Sequence, residues 1–158
     1  MTSTAFTNAE DATSVSQRKA EVSMRIAVLL WMQGLYYLVT GVWPLVSIET
    51  FQIVTGPKTD HLPTGGEADH WLVMTVGVLV TSIALALLTS AWRRRLSSEV
   101  VILAVTSALG LTAIDVIYVA RQVIAPIYLA DAAVEVFFIT AWAFLLFRRW
   151  RDGRVQNA

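Results

Sequence analysis

Four long apolar runs divide the chain, from Ile26 to Val46, Trp71 to Trp92, Val100 to Ala120 and Pro126 to Phe147. Each is close to the ~20 residues that a helix needs to cross ~30 Å of hydrocarbon. Polar residues inside the runs recur at helical spacing rather than alternating. In the first run Gln33, Tyr37 and Thr40 stand at i, i+4 and i+7, which places them on one face. In the second, Thr75, Ser82, Ala86 and Thr89 share a face of small and hydroxyl residues, the kind that membrane helices use at tight contacts. In the third, Ala104, Ala108, Leu111, Asp115, Tyr118 and Gln122 form one stripe. The short RQVIAP turn makes the third and fourth runs antiparallel neighbours, with Pro126 suited to the first turn of the fourth.

The segments between the runs are read from their punctuation. Residues 1–23 are rich in Ser, Thr, Ala and acid, which predicts a disordered tail. The first run is too long for a signal-peptide core and predicts an uncleaved span. After it, Ser47 is a candidate N-cap and Gly56–Pro57 a helix stop. Ile48, Phe51 and Val54 share a face between them, as in a short helix lying in the membrane interface. Ser97 or Ser98 is positioned to cap the third span, with Glu99 in its first turn. The predicted fold is therefore all-α: a four-helix antiparallel membrane bundle over 24–150, with a short tail at 151–158.

Charge sets the orientation. Ten Lys and Arg fall on the side of the two tails and the Arg93–Arg95 loop, against Lys58 and Arg121 on the other. That bias places both termini in the cytoplasm and the 47–70 loop outside. Most tryptophans (Trp31, Trp43, Trp71, Trp92, Trp142 and Trp150) are expected near span ends, as in an aromatic belt. The arginine clusters at 93–95 and 148–154 set topology, or meet anionic headgroups.

Composition removes several classes of function. The chain of 158 residues is 56% hydrophobic and only 15% charged, and has no cysteine, which excludes disulfides, thiolate metal sites and thiol redox chemistry. With zero net charge and no basic tract interleaved with aromatics, nucleic acid is not an expected partner. No phosphate-binding loop, nucleophile elbow or zinc-protease motif appears, so no cofactor is expected and enzymatic activity is disfavoured. An enzyme would have to use Asp and His of the 47–70 loop. There Asp60–His61 and Asp69–His70 could together hold a metal, the alternative being a solvated loop.

The candidate chemistry lies in the last two spans, where Asp115, Asp131 and Glu135 interrupt apolar sequence. An acid at the centre of a membrane helix costs about 2.5–3.5 kcal/mol. Asp115 and Asp131 fall at similar depth, roughly 7 Å below the outer boundary, and Glu135 one turn deeper on the face of Asp131. Tyr118 and Tyr128 stand a turn nearer the surface, Arg121 at the turn is the candidate countercharge, and Gln33 and Tyr37 could join from the first span. Three carboxylates at one level of low dielectric cannot all be ionised. Three explanations compete. The acids bind a cation or handle protons, they clamp Arg121 and fix helix register, or they are solvated at the membrane edge.

WPLVSIETFQIVTGPKTD, WLVMTVGVLV, AIDVIYVAR and IYLADAAVEV together resemble small bacterial integral membrane proteins with four spans and no established activity. The resemblance covers most of Trp31 to Trp142 and implies a multi-pass protein of the plasma (inner) membrane, with HLPTGGEADH as a loop extension. The functional expectation is binding or translocation of a small cation, amine or proton-coupled solute through an outward-facing acidic pocket. The alternative is a structural or accessory membrane protein. Besides the lipid bilayer, the expected partners are that ligand and, because four helices are few to enclose a pathway, a second copy of the chain.

Overall fold

The computed structural model describes residues 3–56 and 70–155. Among them every element is helical: α1 Ser3–Val46, α2 Ile48–Thr55, α3 His70–Arg93, α4 Ser98–Ala120 and α5 Tyr128–Val155. Four helical segments, 23–46, 70–93, 98–120 and 128–151, are long and apolar enough to cross a membrane.

Helix boundaries follow local chemistry. Ser47 and Ser97 are N-caps in extended backbone, whose side chains accept from the amides of Thr50 and Val100. Gly56 ends α2 at φ 82°, a value that glycine adopts without a Cβ penalty. The last turns of α3 and α4 close without glycine. Arg94 and Gln122 take left-handed backbone at φ 48° and 60°. The amides of Arg95 and Val123 reach back five residues to the carbonyls of Ser90 and Tyr118. Those bonds satisfy helix-end carbonyls and offset roughly 1–2 kcal/mol of left-handed strain per residue. The fourth span begins at Tyr128, after Pro126 rather than with it. Three successive short-range bonds, from Tyr128, Leu129 and Ala130 back to Ala125, Pro126 and Ile127, turn the chain into α5.

Two expectations fail here. The segment expected to be a disordered tail is helical from Ser3. Its low hydrophobicity argues against burial, but neither Gly nor Pro occurs before Gly34. A helix already nucleated by the span can extend through such sequence at one hydrogen bond per added residue. The small-residue face of α3 also points the other way. Thr75, Ser82, Ala86 and Thr89 are exposed, and Thr75 and Ser82 bond back to the carbonyls of Trp71 and Val78 at 2.7 and 2.8 Å. The buried stripe is Val73, Gly77, Ala84, Leu87 and Ala91.

The helices pack as two pairs. α1 lies most extensively against α3, and α4 against α5; contact between the pairs is much sparser. Within the first pair the backbones nearly touch. A Cβ on Gly77 would stand 2.8 Å from the Gly41 carbonyl oxygen, and one on Gly41 2.8 Å from the Thr81 amide nitrogen. One turn or more away, Gly34 faces Leu87 and Leu88, and the rings of Trp31 and Trp92 meet edge to face at 6.5 Å. The buried core runs through Ile26, Leu29 and Leu30 of α1, Ala84 and Leu87 of α3, Ala104 of α4, and Phe138, Trp142 and Leu145 of α5. α2 buries no residue and is tied to α1 by Trp43, which donates to Thr50 and packs edge-on against Phe51 at 5.7 Å.

Candidate functional site

The sparse seam between the two pairs is where the polar side chains meet. α1 presents Gln33, Tyr36 and Tyr37 to it, α4 presents Asp115, and α5 presents Asp131 and Glu135. Gln33, Tyr37 and Glu135 have 0% exposure and Asp115 has 6%, while Asp131 and Tyr36 are half-buried.

The hydrogen bonds cross the seam. Trp142 Nε1 donates to Gln33 Oε1 at 2.9 Å. Gln33 Nε2 donates to the Ala104 carbonyl at 2.8 Å and to the Tyr37 hydroxyl at 3.2 Å. Tyr37 donates to Glu135 Oε2 at 2.9 Å, and Tyr36 donates to Asp131 Oδ1. Gln33 thus joins three helices through one amide. Glu135 Oε1 is buried and has no hydrogen-bond partner among the described residues. Leaving such a group unmet costs about 1–3 kcal/mol, and more if it is charged.

Asp115 and Asp131 lie within electrostatic range of Glu135, and all three within range of Tyr36. Among the described residues, however, no three His, Cys, Asp or Glu side chains converge as a metal ligand set. No Lys or Arg among them pairs with Glu135.

The other expected site residues fall at the margin. Arg121 is exposed, with its guanidinium carbon 5.9 Å from the centre of the Tyr118 ring, so it stacks at the turn instead of entering the seam. Tyr118 is 41% exposed: the inward stripe of α4 holds through Asp115 and fails in the last turn. Tyr128 is half-buried with its hydroxyl enclosed. Thr40 bonds back to the carbonyls of Tyr36 and Tyr37 and takes no part in the network. Of the loop histidines, His61 lies outside the described residues, as do Asp60 and Asp69, and His70 opens α3.

Two participants escape the sequence reading. Tyr36 falls at i+3 from Gln33, on the same face as Tyr37 and Thr40. Trp142 is fully buried instead of lying in an aromatic belt. Its signal was its spacing, seven residues after Glu135 and so on the same face of α5. Comparison with family models, curated proteins and solved structures returns no match.

Proposed function

We propose that this chain is a multi-pass membrane protein that binds or passes a small cation, an amine or a proton at the acidic seam between its two helix pairs. In this reading the four spans are antiparallel, and the arginine-rich ends of the bundle face the cytoplasm. α2 lies in the outer interface with Ile53 and Val54 toward lipid. The seam residues then occupy the outer half of the bilayer and open outward. The antiparallel order is supported by the contacts of the first pair, in which positions rise along α1 as they fall along α3.

One observation carries the binding role. Glu135 is fully buried, one oxygen is held by Tyr37, and among the described residues the other has no hydrogen-bond partner and no basic side chain pairs with the carboxyl. An ionisable group held this way inside a membrane segment marks a functional site more often than a structural one. The test is uptake of labelled methylammonium by proteoliposomes under an imposed pH gradient. Wild type should take it up faster than protein-free liposomes, with an excess rate that depends on pH, and Glu135→Gln should lose that excess. An unchanged profile in the variant removes the assigned role.

A second reading is supported by the bonds that Gln33 makes to α4 and α5, and by those from Tyr36 and Tyr37 to the acids of α5. Here the network fixes the register of the two pairs, and the protein serves as a scaffold for other membrane helices. Methylammonium transport indistinguishable from that of protein-free liposomes, in a protein that Glu135→Gln destabilises, favours this alternative.

A further inference from the structure

The binding role proposed above leaves open what the seam takes up; the following rests on it and names the ligand. We propose that the ligand is a proton carried on Oε1 of Glu135, with Oε2 kept as an acceptor by a hydrogen-bond chain of fixed direction that begins at Trp142.

The direction follows from what each group can do. An indole N–H only donates and a backbone carbonyl only accepts. Trp142 therefore requires the oxygen of the Gln33 amide on its side, and the Ala104 carbonyl requires the nitrogen on the other. These two anchors settle the amide orientation independently. The amide nitrogen has one remaining hydrogen, which goes to the Tyr37 oxygen. The Tyr37 proton is then directed at Glu135 Oε2. Reversing either Gln33 anchor would set two donors or two acceptors against each other. While Glu135 is ionised Oε2 accepts from Tyr37, and the oxygen left open to an incoming proton is Oε1. That atom is buried and has no hydrogen-bond partner among the described residues.

The surroundings favour a proton over a larger cation. The ionisable groups facing Glu135 are Tyr36 and Tyr37 from α1, Asp115 from α4 and Asp131 from its own helix. The buried stripe of α3 contributes none. Every one of these is an acid or a phenol, so the seam collects negative charge. A metal ion would require about four to eight ligands, and the three acids do not converge as a ligand set. A proton requires one oxygen. Its binding transfers one H⁺ from the aqueous phase to Oε1, forms one O–H bond, removes one negative charge and breaks no other bond in the protein.

Infrared difference spectroscopy of the full chain in detergent, titrated with pH, reads the carbonyl stretch of a protonated carboxyl. One such band should persist after the exposed carboxyls have ionised. It should shift to lower frequency when the protein is made with carbon-13 carboxyl-labelled glutamate, which needs no substitution and leaves the aspartates unlabelled. It should vanish in Glu135→Gln. If the proton sits on Oε1, the carbonyl oxygen is Oε2, the atom that Tyr37 bonds; Tyr37→Phe should then move the band to higher frequency. A band that ignores the glutamate label belongs to Asp115 or Asp131 and overturns the assignment while leaving methylammonium uptake untouched. A glutamate band that Tyr37→Phe does not raise overturns the direction of the chain. Persistence of the glutamate band together with uptake that ignores Glu135→Gln overturns the transport reading alone.

Discussion

The contact between α1 and α3 and the seam between the two helix pairs solve the same problem by opposite means. Lipid is as apolar as leucine, so no hydrophobic force holds helices together inside a membrane. The first contact answers with proximity. Gly41 and Gly77 bring backbone against backbone, and Gly34 admits the side chains of Leu87 and Leu88. Many small dispersion contacts accumulate over that surface. The seam answers with a few directional bonds through Gln33, Tyr36 and Tyr37, while the helices there touch less. A surface of close backbone contact has one arrangement. A sparse seam of long polar side chains can exchange a proton, or shift by a hydrogen bond, without unpacking a pair. The candidate site residues therefore lie where contact between the helices is sparser.

That contrast can be broken most severely at Gly41. A Cβ there would stand 2.7 Å from Thr81 Oγ1, 2.8 Å from the Thr81 nitrogen and 3.0 Å from the Gly77 oxygen. Two of the three obstacles are backbone atoms, which no rotamer can move. Gly41→Ala should force the pair apart and cost about 1–3 kcal/mol, read as a lower midpoint of unfolding in mixed detergent. Gly110, whose added Cβ would meet nothing within 4 Å, supplies the control: Gly110→Ala should not lower the midpoint. Equal loss at both positions would mean that close approach does not hold α1 to α3.

An intermediate effect is expected in the seam. Gln33→Leu keeps much of the volume but removes the partner of Trp142 Nε1, one of the donors to the Ala104 carbonyl, and one donor to Tyr37. Interhelical hydrogen bonds in membrane proteins average about 0.6 kcal/mol each, so a loss of about 1–2 kcal/mol is expected. The signature should differ from that of Gly41→Ala: the emission of Trp142 should shift, while cross-linking between α1 and α3 stays intact. Loss of that cross-linking would show that the network holds the first pair as well as the seam.

The same contrast explains what was legible in the sequence. Span positions and caps were readable because they depend on local composition: Ser47, Gly56 and Ser97 act on their own neighbours. The acids were conspicuous because apolar sequence makes them so. The side of α3 that packs was not readable, for a geometric reason. Thr75, Ser82 and Thr89 repeat every seven residues, and so do Gly77, Ala84 and Ala91. The two series are offset by two residues, about 200° around a helix, so they occupy opposite faces. Both are composed of residues that membrane helices pack. Only the partner decides between them, and the partner here presents Gly41, which meets the backbone of Gly77 and Thr81, and Gly34, which admits the side chains of Leu87 and Leu88. Hydroxyls on the losing face can bond their own helix, as Thr75 and Ser82 do, so exposure costs them little. Arg121 lies apart from the acids for a related reason. Proximity in sequence made it the natural countercharge, but the left-handed backbone at Gln122 ends α4 beside it, and the side chain settles on the Tyr118 ring.

The smallest effect is expected on that outward face of α3. Ser82 is exposed and its hydroxyl donates to the Val78 carbonyl at 2.8 Å within its own helix. Ser82→Ala removes that bond, but it also removes a side chain that competes for a helical carbonyl and adds a better helix former. The two changes oppose each other, and the unfolding midpoint should move by no more than about 0.5 kcal/mol. The same variant should run at the wild-type position in size-exclusion chromatography and cross-link to itself to the same extent. A destabilisation approaching that of Gly41→Ala, accompanied by loss of self-cross-linking, would put a second copy of the chain against Ser82, and the molecule would then hold two close helix contacts of the α1–α3 kind rather than one.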